Sequence, residues 1–187
     1  MRSVKDAVAY GLRKAQHKDV REHQRKVIEG YCSGKDVFLS APTGSGKSLT
    51  FEVTPYVFDY LEHGERLEVC SVCLVVVPLV ALMKDQVASL VAWGISAASV
   101  GADCTREQVK EISEGKYSLV FGNPEALLNS HQSISHGKLR KNLKAVFVDV
   151  GHCIAKWWAI DLLLFGIYIC KTSSNQGLIS AFEVQWI

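Results

Sequence analysis

The sequence is poor in the features that would direct it to a membrane, an export route or a strongly charged partner. Its longest apolar run, Ile160 to Cys170, is broken by Asp161 and Gly166 and falls well short of the ~20 residues a membrane-spanning helix needs, so no span is expected. Met1-Arg2-Ser3-Val4-Lys5-Asp6 carries charge but no apolar stretch of the kind a secretory signal requires, so secretion is not expected either. A formal net charge of +2 decides nothing about nucleic acid, because a footprint depends on where charges cluster. There is no internal repeat and no low-complexity tract. The six cysteines are scattered, several inside apolar runs, and Cys70-x-x-Cys73 has no second pair at zinc spacing. They read as reduced thiols packed as small hydrophobes, which points to an intracellular protein. With 187 residues and 48% hydrophobic content, the chain can fill one domain well.

What is present centres on Ala41-Pro42-Thr43-Gly44-Ser45-Gly46-Lys47-Ser48, between the apolar run Val37-Phe38-Leu39 and a long helical pattern. Glycines at 44 and 46 let successive backbone N–H groups turn into one concavity, and the following helix directs its positive end to the same point. This is a phosphate-binding loop. Lys47 would reach the β- and γ-phosphates of a nucleotide and the Ser48 hydroxyl would hold Mg²⁺. Ala41 stands where the usual pattern has glycine.

Along the chain, Val4, Val8 and Leu12 recur at helical spacing, and Val27, Ile28 and Tyr31 do so in a second helix over Val20 to Tyr31. Arg21 and Gln24 share a face of that helix. They could read the edge of an adenine, or be two solvated polar residues on a surface helix; spacing alone favours the second. A strand over Asp36 to Ser40 precedes the loop and a helix from about Lys47 to Leu61 follows it. Val69 to Val77 reads as a strand buried on both faces, Leu79 to Trp93 as a helix ended by Gly94, and Ile95 to Val100 as a strand. Thr105-x-x-Gln108 forms a capping box for a helix ending at Gly115. Ser118 to Phe121 is a strand, Pro124 opens a short helix, Asn129 to Asn142 is loop or frayed helix, and Ala145 to Val148 is the last clear strand. Strands alternating with helices imply an α/β layer fold with a mostly parallel sheet, the nucleotide sitting at its carboxyl edge.

With these elements placed, the motifs together resemble the first lobe of a RecQ-type DNA helicase, from about Val20 to Trp157. Arg21 and Gln24 fall where that family keeps its adenine-reading pair, with Val20 in place of the usual aromatic. Val77-Pro78-Leu79-Val80-Ala81-Leu82-Met83-Lys84-Asp85-Gln86-Val87 is similar to the segment that borders the family's DNA path; Gly94 to Gly101 and Thr105-Arg106-Glu107 follow the family as well, and Asn123-Pro124-Glu125 resembles another of its strand-contacting turns. The resemblance implies a RecA-like lobe using ATP and Mg²⁺, single-stranded or forked DNA as partner, and 3′ to 5′ unwinding as the family activity. It also moves the Arg21–Gln24 pair toward an adenine contact.

Phe147 to Trp157 occupies the family's Asp-Glu-x-His box. Asp149 would hold Mg²⁺ and His152 would couple the nucleotide to a second lobe. Where the family has the glutamate that activates the attacking water, this chain has Val150, which has no lone pair and accepts no proton. General-base help is worth about 10²- to 10⁴-fold, so ATP is expected to bind but turn over slowly. The implied site comprises Lys47, Asp149 and His152 in catalysis, Arg21, Gln24 and Thr43 to Ser48 around the nucleotide, and Ser48 and Asp149 at the metal. Residues 1–157 are expected to form the lobe. After Trp157 the resemblance stops, and 158–187 is expected to be an unrelated, poorly ordered apolar tail, as if the chain were a truncated or mis-spliced helicase. A non-enzymatic nucleotide-binding module is the competing reading; a small phosphate-loop kinase is not, because the segments that match are DNA-tracking ones.

Overall fold

The computed structural model describes residues 2–42, 44–65, 71–130 and 138–149, and the backbone of 179–184. Helices α1 (Val4–Lys14) and α2 (Glu22–Cys32) lead into β1 (Val37–Ser40) and α3 (Leu49–His63). Then come β2 (Val72–Val76), α4 (Val80–Ala92), β3 (Ala97–Val100), α5 (Arg106–Ser113), β4 (Leu119–Gly122), α6 (Pro124–Asn129), α7 (Lys138–Asn142), β5 (Leu143–Val148) and β6 (Ile179–Val184). The strands form one sheet in the order β1-β6-β5-β2-β4-β3, and every pairing is parallel.

The alternation of side chains along each strand splits the core in two. Val72, Leu74 and Val76 face a cluster with Ile112, Leu127, Leu139 and Val146. Cys73, Val75 and Val77 face the opposite side, where α1, α2 and α3 pack with Tyr31, Phe51, Phe121 and Phe147. All five residues of β2 are buried, as a strand covered by helices on both faces requires. Helix α3 is the pivot of the second layer: its residues from Leu49 to Val57 are all buried. Phe51 meets Phe121 and Phe147 edge-on at 5.8 and 6.0 Å, and Tyr31 meets Phe147 at 5.5 Å. The Tyr31 hydroxyl donates to the Thr50 carbonyl (2.8 Å), and burial pushes its pKa well above the ordinary value.

Local chemistry sets several boundaries as expected. Thr105 and Gln108 form a reciprocal capping box at the start of α5, and Asn123 caps α6 by accepting from the Ala126 N–H with Pro124 in the first turn. A short helix, α7, lies at the end of the stretch read as loop or frayed helix. Two findings differ from the expectations. Helix α2 starts at Glu22, so Arg21 is its N-cap and adopts extended backbone. Beyond Ala145–Val148 no strand is expected, yet the backbone of Ile179–Val184 lies between β1 and β5, pairing Ala181 with Val37 and Phe147. A six-residue run of mixed residues has no strand signature of its own; the opening between two parallel strands supplies its hydrogen bonds. Residues 158–178 and 185–187 of the expected tail lie outside the described residues.

Candidate nucleotide site

The loop after β1 emerges at the carboxyl edge of the sheet. Gly44 and Gly46 take φ of +76° and +75°, the left-handed region that a side chain disfavours, and α3 begins immediately after Ser48. Lys47 is buried, and its Nζ folds back onto the carbonyls of Ala41 (3.2 Å) and Pro42 (3.3 Å). Ser45 Oγ is buried and has no hydrogen-bond partner among the described residues. A buried ammonium turned onto backbone carbonyls of the loop, beside a buried hydroxyl without a hydrogen-bond partner among the described residues, is a donor set suited to an anion such as a polyphosphate.

Arg21 and Gln24 reach this loop from the start of α2. Gln24 Oε1 accepts from the Arg21 N–H (2.7 Å), which satisfies an orphan donor at the helix start. On the other side of the same amide, Nε2 donates to the Gly46 carbonyl (2.6 Å). Arg21 Nη1 donates to the Ser45 carbonyl (2.8 Å). Gln24 is almost fully buried, at 3% exposure, and so is not a solvated surface residue, whereas Arg21 is exposed and reaches the loop through its guanidinium. The pair braces the loop from outside.

Asp149 lies just past the end of β5, and its N–H donates to the Val76 carbonyl (2.9 Å), fixing the carboxylate at the same edge of the sheet. Gln86 of α4 approaches it, with Nε2 3.4 Å from Oδ2. Its Oε1 is buried without a partner among the described residues. The structure therefore brings Arg21, Gln24, Gly44, Ser45, Gly46, Lys47 and Ser48 together, with Asp149 on the same edge. Thr43, Val150 and His152 lie outside the described residues.

A cleft of about 400 Å³ opens beside the loop, lined among others by Arg21, Gln24, Gly46, Ser48, Glu52 and Trp93. Two features of this cleft, and one contact outside it, were not legible in the sequence. His17 Nε2 lies 2.6 Å from Glu52 Oε2, both partly buried; the His17 ring meets Trp93 edge-on at 6.2 Å; and, away from the cleft lining, Gln86 stands against Asp149. Each pairs residues from separate elements, and only Gln86 had a signal, its place in the Lys84-Asp85-Gln86 run.

A second groove, of about 720 Å³, runs along α4 and the ends of β3 and β4, lined by Lys84, Gly101, Asp103, Asn123 and Glu125 among others. Lys84 Nζ sits 2.6 Å from Asp103 Oδ2; the ion pair raises the lysine pKa and lowers that of Asp103. Segments distant in sequence thus line one trough on the nucleotide edge.

An α/β lobe with a braced phosphate loop on β1 and a carboxylate after β5 defines a nucleotide-binding lobe of the helicase kind. The DEAD/DEAH box helicase model matches residues 21–179, and the chain belongs to that family; over about three quarters of its length it is similar to part of several RecQ-like helicases. It is 34% identical over 146 residues to ATP-dependent DNA helicase Q-like 4B of Arabidopsis thaliana, covering 73% of this chain and 12% of that protein. It is 31% identical over 147 residues to ATP-dependent DNA helicase RecQ of Haemophilus influenzae, covering 75% of this chain and 21% of that one. The chain thus spans a small part of the relatives it matches. Among solved structures, the DUF1998 helicase MrfA bound to DNA and AMPPNP superposes on all of this chain and 27% of its own, with a TM-score of 0.76 at 17% identity, a likeness of fold alone. Among the described residues no helix is long and apolar enough to cross a membrane.

Proposed function

We propose that this chain binds Mg-ATP in the phosphate loop and nucleic acid along the Lys84–Asn123 groove, as the ATP-binding lobe of a RecQ-like DNA helicase, and that Val150 makes it slow to hydrolyse what it binds. The observation that carries the reading is the buried Lys47 ammonium inside a loop braced by Arg21 and Gln24. In this role Lys47 would turn from the Ala41 and Pro42 carbonyls to the β- and γ-phosphates, Thr43 and the loop through Gly44, Ser45 and Gly46 would hold the phosphates, and Ser48 and Asp149 would hold the metal. Arg21 and Gln24 take the polar edge of the base, and His152 couples the site to a second lobe. ATP with Mg²⁺ would supply a phosphoryl group activated toward water. The chain's own contribution is to bind and orient it, because Val150 cannot take a proton from that water. Asp149 accepts no such duty if it is bound to metal.

Val150 favours a second reading in which the lobe holds nucleotide without turnover and serves as a binding module. Both readings meet one experiment: titration of the purified chain with a fluorescent ATP analogue and Mg²⁺, with phosphate release measured with and without single-stranded DNA, for wild type and Val150→Glu. Binding without release in the wild type, with release appearing in Val150→Glu, is the expected result for a lobe impaired at its water-activating position. Release still absent in Val150→Glu favours the binding module, and absence of nucleotide binding overturns both.

A further inference from the structure

The nucleotide cleft has a wall that the phosphate loop and the Arg21–Gln24 pair do not account for. Trp93 lines it with 52% of its surface exposed, an unusual place for an indole unless something covers its face. The ring is not loosely held. Trp93 caps the carboxyl end of α4, where Gly94 turns the chain away at φ +77°, and its carbonyl accepts from Gln16 Nε2 (2.8 Å). Gln16 itself is the one non-glycine residue with positive φ (59°) among those described. The indole then meets the edge of His17, whose other side is fixed by Glu52. Val20, adjacent to Arg21, is turned into the core at 7% exposure and offers the cleft no surface.

Resting on the nucleotide reading, we infer that Trp93 is the stacking wall of the base end of this cleft, taking the flat face of the purine of a nucleoside triphosphate while Gln24 and Arg21 meet its polar edge. With the phosphates fixed at Lys47 and the base edge at Gln24, the base lies in a cleft whose aromatic wall is Trp93 together with His17. An ordered, half-exposed ring is suited to stacking because its conformational freedom is already restricted before the ligand arrives.

The test is calorimetric titration of the full chain, with Mg²⁺, by ATP and separately by inorganic tripolyphosphate, for wild type, Trp93→Ala, Trp93→Phe and Trp93→Leu. Base–aromatic stacking predicts that Trp93→Ala weakens ATP roughly 5- to 100-fold and leaves tripolyphosphate unchanged. Trp93→Phe should recover most of the loss and Trp93→Leu should not. Unchanged ATP affinity in Trp93→Ala, equal losses for both probes, or recovery by leucine as full as by phenylalanine overturns the stacking role alone. A wild type that binds neither probe overturns the nucleotide reading and this inference with it.

Discussion

Gly46→Ala tests whether the loop geometry matters as described. Gly46 sits at φ +75°, where an L side chain costs about 1–2 kcal/mol. A Cβ built there lies 2.9 Å from Gln24 Nε2, closer than real Cβ contacts come. The amide is the end of a flexible side chain and can withdraw, but doing so gives up its 2.6 Å bond to the Gly46 carbonyl, worth roughly 1 kcal/mol. Together these amount to about 2–3 kcal/mol against the loop conformation, or roughly 30- to 150-fold in nucleotide affinity at about 1.4 kcal/mol per decade. The assay is a fluorescent-nucleotide titration of wild type, Gly46→Ala, Gln24→Ala and the double variant. In the double variant the crowding part disappears, so its loss should be smaller than the sum of the single losses. Gly34→Ala is the control, since Gly34 has φ +78° but open space around its Cβ; it should lower stability by about 1 kcal/mol and leave binding alone. Wild-type affinity in Gly46→Ala, or strict additivity with Gln24→Ala, would refute the bracing of the loop by Gln24.

Lys47→Ala removes a charged donor from the loop and should weaken nucleotide binding by about 1.5–3 kcal/mol, read in the same titration, with the melting temperature little changed. Lys84→Ala should weaken single-stranded DNA and reduce the slope of log affinity against log salt by roughly 0.7, one phosphate contact; an unchanged slope would place the DNA elsewhere. Gly122→Ala drives a Cβ to 2.6 Å from the Leu127 side chain and should cost about 1–3 kcal/mol by overpacking, lowering the melting temperature by roughly 2–4 °C per kcal/mol. Tyr31→Phe deletes a buried hydroxyl that donates to Thr50 and sits 2.9 Å from Thr54 Oγ1; about 1 kcal/mol of stability should go, without an effect on nucleotide affinity.

How much was legible differs between the loop and its surroundings. The sequence identifies the phosphate loop because the requirement is local: glycines where the backbone must turn, a strand before, a helix after. It identifies α1, α4 and the capping box of α5 for the same reason, since helical periodicity and caps are properties of neighbours three or four residues apart. The parallel sheet follows from strands too apolar for a solvent-facing edge. Arg21 and Gln24 were not legible as a contact pair from spacing alone, because their partners, the carbonyls of Ser45 and Gly46, lie more than twenty residues away and belong to the backbone, which has no sequence signature.

The residues on which the proposed chemistry rests are therefore legible in the sequence: Lys47 and Ser48 in the glycine-containing loop, Asp149, and a valine at position 150 where the proposal needs a proton acceptor. Tertiary structure alone decided what closes around that chemistry. It inserted Ile179–Val184 between β1 and β5, set Gln86 against Asp149, and carried Trp93 from the end of α4 to His17 and the nucleotide cleft. These juxtapositions are set by which helix covers which strand, a matter of long-range packing that no window of neighbouring residues contains.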